Sequence, residues 1–269
     1  MVDIQHEAVK YASRHPYSFT RIGLPNSQKA IRFRFHITEQ PDPMVAVMIG
    51  DFVHNLRSAL DYVVVACVPK KRRNSASFPI LFQDIFAKDN SGQFVVNDDD
   101  LRKNFKTATE GLHPKARALI IQHQPYNLGV DPGIITLGII SRLENADKHR
   151  QLLTIGCGGQ DFAASLTCRG LDEPVRKREL LATGAQFLRD NTEFPFNIDL
   201  EGIPYPDGSY VQYDDVNMEF TGTAKIFVKV ARIGGNKPST DFSLDTLMDS
   251  MMFEVKGILK KLEFFVHST

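Results

Sequence analysis

The stretch from Met44 to about Cys67 limits the fold most, because its apolar residues recur with the spacing of one long helix. It follows Pro41 and Pro43 and must end before Pro69, since proline interrupts a helix. At 100° per residue its apolar side chains fall within an arc of about 140°. One face is therefore expected to belong to the core, and the other carries Asp51, His54, Asn55, Arg57, Ser58 and Asp61.

The remaining segments alternate between strand-like and helix-like patterns, which favours an α+β fold. Residues 31–37 alternate apolar and polar side chains, and a hairpin turn is predicted at 24–27. Residues 70–100 are rich in loops. Further strands are predicted within 152–167 and 194–230, with turns at 206–208 and Gly222 and the clearest strand at 220–230. Further helices are predicted from residue 97 or 98 to about 106, from 114 to about 124, and over 133–149, 173–190 and 243–266.

These elements predict a helical bundle with an antiparallel sheet packed beside it. We expect a single domain over 1–269, since no internal repeat, low-complexity tract or linker is visible. Its helical core would comprise about 43–152 and 243–266, and its β portions about 17–39 and 152–230.

Composition excludes several classes of protein. Of 269 residues, 32 are basic and 32 acidic, so no global field attracts nucleic acid or a membrane surface. The longest apolar run, Val63–Val68, is too short for the roughly 20 residues that cross a bilayer. No secretory signal is visible, and three cysteines without a CxxC motif do not make a disulfide framework. A cytoplasmic protein without a membrane partner is expected.

The usual catalytic motifs are missing from the sequence. HExxH, His-Asp, GxGxxG, P-loop and GxSxG motifs do not occur, so zinc peptidase, phosphohydrolase, dinucleotide-binding, NTPase and α/β-hydrolase activities lack their usual support. No cofactor is predicted. Cys157 is interpreted as a packing residue rather than a nucleophile.

The polar face of the long helix is the first candidate site. His54, Arg57 and Asp61 are three and then four residues apart, so they share one face, and Arg57 can pair with Asp61. Between Asp51 and Asp61 this face has neither Lys nor Glu, which exposed helix faces usually carry. It is interpreted as the wall of a site or as a buried structural seam, with solvated surface as the alternative.

The second candidate site is the run from Arg142 to Arg150. On a continuing helix, Arg142, Asn145 and His149 fall within about 60° of one another. Histidine transfers protons near neutral pH, and arginine holds a phosphate or a developing oxyanion. The alternative is that Lys148, His149 and Arg150 simply offset the helix dipole.

A metal site is a further alternative. Its ligands would be His54, Asp61, Asp147 and His149. The neighbouring arginines and lysine would oppose a divalent cation, so no metal is predicted.

The strings GDFVHNLRSALDY and NADKHR, with FPI at 78–80 and QPY at 124–126 between them, resemble an uncharacterised bacterial and phage protein family with the same order of motifs. The resemblance covers roughly residues 30–155. It implies that both candidate sites are the signature of that family, which adds weight to His54, Asn55, Arg57, Asp61, Asp147, His149 and Arg150 as functional residues.

The chain also resembles the HEPN superfamily. Its members are helical bundles that are often dimeric, and some of them cleave RNA without a metal. Their motif is an arginine, four to six variable residues and a histidine. Arg142 and His149 match with six residues between them, and Arg117 and His123 match with five. Leu143 and Ala118 stand where HEPN nucleases usually have a polar residue.

Two functions follow as expectations. The first is a HEPN-like RNA-cleaving or RNA-binding protein, an endoribonuclease if it cleaves, in which His149 transfers the proton and Arg142 or Arg57 stabilises the phosphorane. Homodimerisation and a small antidote protein are expected with it. RNA backbone contacts would come from Arg32, Arg34 and the basic cluster Lys70, Lys71, Arg72 and Arg73. The second is a non-enzymatic structural or interaction protein whose His/Arg/Asp seam is a buried hydrogen-bond network.

Overall fold

The computed structural model describes residues 2–22, 30–96, 98–129, 131–148, 155–168, 178–180, 190–197, 216–230 and 240–266. The chain forms two compact units. The first comprises Pro43–Thr154 and Val228–Thr269, and the second Val2–Asp42 and Ile155–Phe227. The single domain over 1–269 stays a prediction.

Helices and antiparallel strands are both present, so the α+β prediction is confirmed. The α-helices of the described residues are α1 Val2–Ser13, α2 Met44–Ala66, α3 Asp99–Ala108, α4 Pro114–Gln122, α5 Thr136–Lys148 and α6 Leu244–Glu263. Short 3-10 helices occupy Lys70–Ser75, Pro125–Leu128 and Pro132–Ile134. The strands are β1 Tyr17–Ile22, β2 Ala30–Ile37, β3 Ile155–Cys168, β4 Arg178–Leu180, β5 Glu193–Asn197, β6 Val216–Val230 and β7 Thr240–Ser243.

The first unit is built on α2, α5 and α6, which pack against one another. Each helix buries the apolar stripe that its sequence predicts. The long helix predicted at 44–67 is confirmed as α2, and the one predicted at 243–266 as α6. Their fully buried side chains include Ile49, Leu60, Val64, Leu137, Ile140, Met248, Met251 and Ile258.

The predicted starts of the two short helices are also confirmed. Asp98 is the N-cap of α3, since its Oδ1 accepts the amide proton of Leu101 at 2.8 Å. Pro114 occupies the first turn of α4. α5 begins at Thr136 rather than at residue 133, because a 3-10 turn at Pro132–Ile134 precedes it.

The first turn of α5 lies very close to the 3-10 turn that precedes it. A Cβ added to Gly138 would lie 1.9 Å from the carbonyl oxygen of Pro132. Only glycine allows the helix to pass this close to the preceding turn.

The second unit contains an antiparallel sheet of order β1-β2-β5. β1 and β2 pair with Tyr17 opposite Ile37, and β2 pairs with β5 with Ala30 opposite Asn197. The predicted strand at 31–37 is confirmed, whereas the predicted turn at 24–27 lies outside the described residues. A second sheet has the order β4-β3-β6-β7, in which β7 and the last residues of β6 belong to the first unit.

Aromatic packing and helix α1 form the core of the second unit. Phe35 is fully buried, and the ring of Phe19 stacks on Phe220. On α1, Ile4 and Tyr11 are buried, and the Tyr11 hydroxyl donates to the carbonyl oxygen of Glu39 at 2.7 Å. The sequence analysis did not predict α1, although Ile4 and Tyr11 are seven residues apart, which is two helical turns.

Two sequence predictions in the second unit are wrong. The helix expected over 173–190 is contradicted by β4, whose Arg178–Leu180 backbone pairs with β3. Pairing with a neighbouring strand overrides the helix propensity of this segment. Gly222 lies within β6 rather than at a turn, and its carbonyl oxygen accepts the Tyr17 hydroxyl at 3.3 Å. The turn predicted at 206–208 lies outside the described residues.

No helix in the described part of the chain has the length and apolar character needed to cross a membrane.

Candidate functional site

The polar face of α2 is graded from exposed to half-buried. Asp51, His54 and Asn55 are exposed, whereas Arg57, Ser58 and Asp61 are partly covered. The predicted pair forms, with Arg57 Nη2 at 3.0 Å from Asp61 Oδ1. The face is therefore neither a fully solvated surface nor a fully buried seam.

Asp61 connects α2 to the loop that follows it. Its Oδ1 accepts the amide proton of Phe78 at 2.8 Å in addition to the contact with Arg57. The GDFVHNLRSALDY and FPI motifs therefore meet through one carboxylate oxygen. Phe78 itself is fully buried, so this contact fixes a core side chain.

Gln124, which follows this loop in the chain, also holds it through hydrogen bonds. Its Oε1 accepts the amide proton of Leu81 at 2.7 Å, and its Nε2 donates to the carbonyl oxygens of Pro79 and Ile120 at 3.0 and 2.8 Å. The side chain is 1% exposed. The FPI and QPY motifs thus meet at a buried amide, which gives both a structural role.

α2 and α5 are joined by a histidine and a carboxylate. His54 Nδ1 lies 3.4 Å from Glu144 Oε1. The His54 side chain is 58% exposed, and that of Glu144 is 5% exposed. A buried carboxylate orients an imidazole whose Nδ1 carries the proton, and more than half of the His54 side chain is open to solvent.

This contact brings the two candidate sites together, although through a residue that sequence reasoning missed. Glu144 lies within the run from Arg142 to Arg150 but was not selected, because no spacing rule links it to His54, which is 90 positions earlier. Its signal was its position four and seven residues after Ile140 and Leu137, which places Glu144 on the apolar face of α5.

Arg142 and Asn145 lie on the same helix as Glu144. The guanidinium carbon of Arg142 is 5.8 Å from the ring centroid of Phe82, a cation–π distance, and Asn145 is exposed. The third member of the predicted trio, His149, lies outside the described residues, as does Arg150. Asp147 and Lys148 are part of α5, and the description of both stops at the backbone.

The basic cluster forms a 3-10 helix directly after α2. Lys70, Lys71 and Arg73 are exposed, whereas Arg72 Nη2 pairs with Glu110 at 2.8 Å. In the second unit Arg34 pairs with Glu193 through its Nε at 3.1 Å, and the side chain of Arg32 lies outside the described part.

The second HEPN-type match is occupied by structural contacts. Arg117 Nε donates to Thr109 Oγ1 at 3.0 Å. His123 uses both ring nitrogens, with Nδ1 at 3.2 Å from Glu254 and Nε2 at 3.0 Å from Lys261 Nζ. Both side chains are explained by packing between helices of the first unit.

The environments of the two buried cysteines, Cys67 and Cys157, do not favour a nucleophilic thiolate. Burial raises the pKa of the Cys67 thiol, which donates to the carbonyl oxygen of Leu262 with an Sγ–O distance of 3.5 Å. In the second unit burial also raises the pKa of Cys157, against the lowering effect of its hydrogen bond with Tyr11. A raised pKa suppresses the thiolate.

In the described part of the chain, no three His, Cys, Asp or Glu side chains are placed to hold a metal ion. Of the alternative metal ligands, the side chains of Asp147 and His149 lie outside that part, and Asp61 pairs with Arg57.

The chain was compared with protein-family models, with curated proteins and with solved structures, and none of them matches. The two family resemblances therefore stay predictions.

Proposed function

We propose that the protein is a HEPN-like, metal-independent RNA-cleaving or RNA-binding protein in which His54 is a proton-transfer group. The observation that supports this is the contact of exposed His54 with buried Glu144 at 3.4 Å. A histidine that contacts a carboxylate through one ring nitrogen and is open to solvent has an arrangement suited to general acid–base catalysis.

In the proposed reaction the ribose 2′-hydroxyl attacks the adjacent phosphorus. His54 Nε2 accepts the hydroxyl proton, and Glu144 holds the imidazole by accepting the Nδ1 proton. The P–O5′ bond breaks, and the leaving oxygen takes a proton from His149, the histidine that the HEPN motif supplies. The products are a 2′,3′-cyclic phosphate and a 5′-hydroxyl.

Arg142 is the better candidate of the two predicted arginines for stabilising the phosphorane. Arg142 belongs to the same helix as Glu144 and lies two residues before it, so its backbone is next to the carboxylate that contacts His54. A guanidinium holds two phosphate oxygens with its fixed donors. Asn145, exposed one turn away, is a further donor to the phosphate.

RNA would be held by the exposed Lys70, Lys71 and Arg73 next to the end of α2. This local cluster is needed because the chain as a whole carries no net charge. With this function we expect a homodimer, a small antidote protein as a partner and a cytoplasmic location.

The test is cleavage of a single-stranded RNA in the presence of EDTA. We expect the wild-type protein to release 2′,3′-cyclic phosphate ends, and His54→Ala to slow cleavage by about 10²–10⁴-fold. Glu144→Gln should slow it less, because the imidazole is retained but is oriented less firmly.

His6→Ala is the matched control, since His6 is an exposed histidine on α1. It should cleave like the wild type. Unchanged cleavage by His54→Ala would remove His54 from the reaction, and absence of both RNA binding and cleavage in the wild type would end the proposal.

A second candidate is a non-enzymatic structural or interaction protein. It is favoured by the contacts of Asp61 with Arg57 and with the amide of Phe78, which explain this part of the polar face without any substrate. This candidate expects Arg57→Ala and Asp61→Ala to lower the melting temperature sharply, because each leaves a partner unpaired. Full stability of both variants would count against it, and RNA cleavage by the wild type would contradict it.

A further inference from the structure

A histidine of the first unit lies between a carboxylate and an amine of helix α6. His123 directly follows α4, and its Nδ1 is 3.2 Å from Glu254 Oε1 while its Nε2 is 3.0 Å from Lys261 Nζ. Glu254 and Lys261 are seven residues apart, about two helical turns, so they share one face of α6. The His123 side chain is only 18% exposed, whereas Lys261 is exposed. The amine is therefore open to solvent, and the imidazole beside it is held in place.

The hydrogen-bonding chemistry of these three groups fixes where their protons lie. An ammonium group can only donate, so His123 Nε2 accepts from Lys261, and Nδ1 carries the proton that is donated to Glu254. In this tautomer the basic lone pair of the imidazole is aimed at the lysine nitrogen. The carboxylate on the other side stabilises the imidazolium that forms when Nε2 takes a proton.

We propose that Lys261 is an acylation site of the protein, at which His123 is the general base and Glu254 is a positioning residue. A nucleophile next to a base, which is itself oriented by a third group, is the arrangement that activates weak nucleophiles. The nucleophile here is the lysine amine. The donor is a small molecule with an activated acyl group, either an acyl phosphate or an acyl thioester.

In the proposed step, Lys261 gives one ammonium proton to His123 Nε2, and the freed lone pair attacks the carbonyl carbon of the donor. A C–N bond forms, and the bond from that carbon to the phosphate oxygen or thioester sulfur breaks, with its electron pair leaving on that atom. His123 passes the first proton to water and the second nitrogen proton to the leaving group. The products are an acylated lysine, the free phosphate or thiol, and one proton.

Lys260 provides a comparison within the same helix turn. It is also exposed in the last turn of α6, but none of the described histidines lies within hydrogen-bond distance of its ammonium group. Acylation of Lys261 would remove a positive charge from the C-terminal end of α6, where cations offset the helix dipole. The proposal does not rest on RNA cleavage and holds whichever function the first unit has.

The experiment treats the full chain with acetyl phosphate, and in a second arm with an S-acetyl thioester, and follows each lysine by peptide mass spectrometry. In the folded protein we expect Lys261 to be acetylated about tenfold faster than Lys260, less than the ~10²–10⁴-fold typical of general bases, since Lys261 is open to water. In concentrated urea the two rates should become equal, because the cluster is lost. The arm with the faster reaction identifies the donor class. Equal rates at both lysines of the folded protein with both donors would overturn the proposal.

Variants of the two neighbours test the roles assigned to them. His123→Gln, which has no basic nitrogen, should lower the rate at Lys261 to that at Lys260. Glu254→Gln should lower it by a smaller factor, because the imidazole remains. Lys260 should react at its wild-type rate in both variants, which separates loss of the base from loosening of the fold.

His6→Gln is the matched control, since His6 is an exposed histidine on α1. It should leave the ratio of the two rates as in the wild type. An unchanged ratio in His123→Gln would remove the base from the reaction and contradict the proposal.

Discussion

At the scale of single residues, the polar side chains of the first unit divide into two kinds. Asp61 and Gln124 are bound to the backbone of the loop after α2, so they maintain the fold. His54 contacts buried Glu144 and is itself more than half exposed, so a molecule in solution can reach it. Helical spacing alone cannot make this division, because it assigns a face and not a partner.

The buried amide of Gln124 should be among the most sensitive polar positions. Gln124→Ala removes three hydrogen bonds and leaves a buried amide proton on Leu81 without its acceptor. We expect the free energy of unfolding in urea to fall by about 2–3 kcal/mol. Gln122→Ala, two residues earlier and exposed, should change it by less than about 0.5 kcal/mol. Equal effects of both variants would contradict the structural role of Gln124.

Tyr126 should make stability depend on pH in the alkaline range. Burial, together with the negative charge of Asp84, raises the pKa of Tyr126 from 10.0 to about 12. A raised pKa in the folded state stabilises the protein fully below pH 10, and this contribution is lost as pH rises toward 12. Urea unfolding at pH 9 and at pH 11 should show a smaller fall for Tyr126→Phe than for the wild type. An identical fall in both proteins would show that the phenol does not contribute.

The candidate site was predictable only in part. The sequence placed His54, Arg57 and Asp61 on one face and predicted the pair of Arg57 with Asp61, because these relations lie within one helix. It could not predict Glu144 as the partner of His54, since that contact depends on how α5 packs against α2. The residues that hold the loop after α2 were visible as motifs, but their function as hydrogen-bond acceptors was not.

At the scale of elements, segments with a strong apolar period or a clear helix start were predicted correctly, whereas α1 and β4 were not. α2, α6 and β2 have strong apolar periods and are found where they were expected. The segment 173–190 has helix-forming residues, yet its described part is a strand, because pairing with β3 satisfies its backbone. α1 was missed since few of its residues are buried and its period is short.

The start of α5 provides a test of packing between elements. Gly138→Ala places a methyl group 1.9 Å from the carbonyl oxygen of Pro132, so the helix or the turn must move. We expect the free energy of unfolding to fall by about 2–3 kcal/mol. Gly257→Ala, in open space on α6, should raise it by about 0.5–1 kcal/mol in dilute protein, because alanine favours the helix. A Gly138→Ala variant as stable as the wild type would mean that this contact relaxes without cost.

At the scale of the whole molecule, equal numbers of acidic and basic residues mean that any RNA affinity depends on a local patch. The exposed cluster next to α2 concentrates three positive charges within four residues. Two compact units share one chain, and the boundary between them falls within β6.

The salt dependence of RNA binding tests whether this basic cluster contacts RNA phosphates. Replacing Lys70, Lys71 and Arg73 together by alanine should weaken binding of single-stranded RNA and reduce the slope of log K against log salt by about 2, since each phosphate contact contributes about 0.7. Replacing Lys10, Lys88 and Lys103, which are exposed elsewhere, is the charge-matched control. A slope that changes equally in both triple variants would locate the RNA elsewhere.

The loop after α2 has one more consequence for how the first unit opens. The amides of Phe78 and Leu81 belong to a segment without regular secondary structure, yet each donates to a side chain anchored on or beside a helix. Neither amide can exchange its hydrogen with solvent until Asp61 or Gln124 releases it, so both should exchange as slowly as amides inside α2. Slow exchange of both amides would show that two polar side chains make an irregular loop part of the same cooperative unfolding unit as the helices around it.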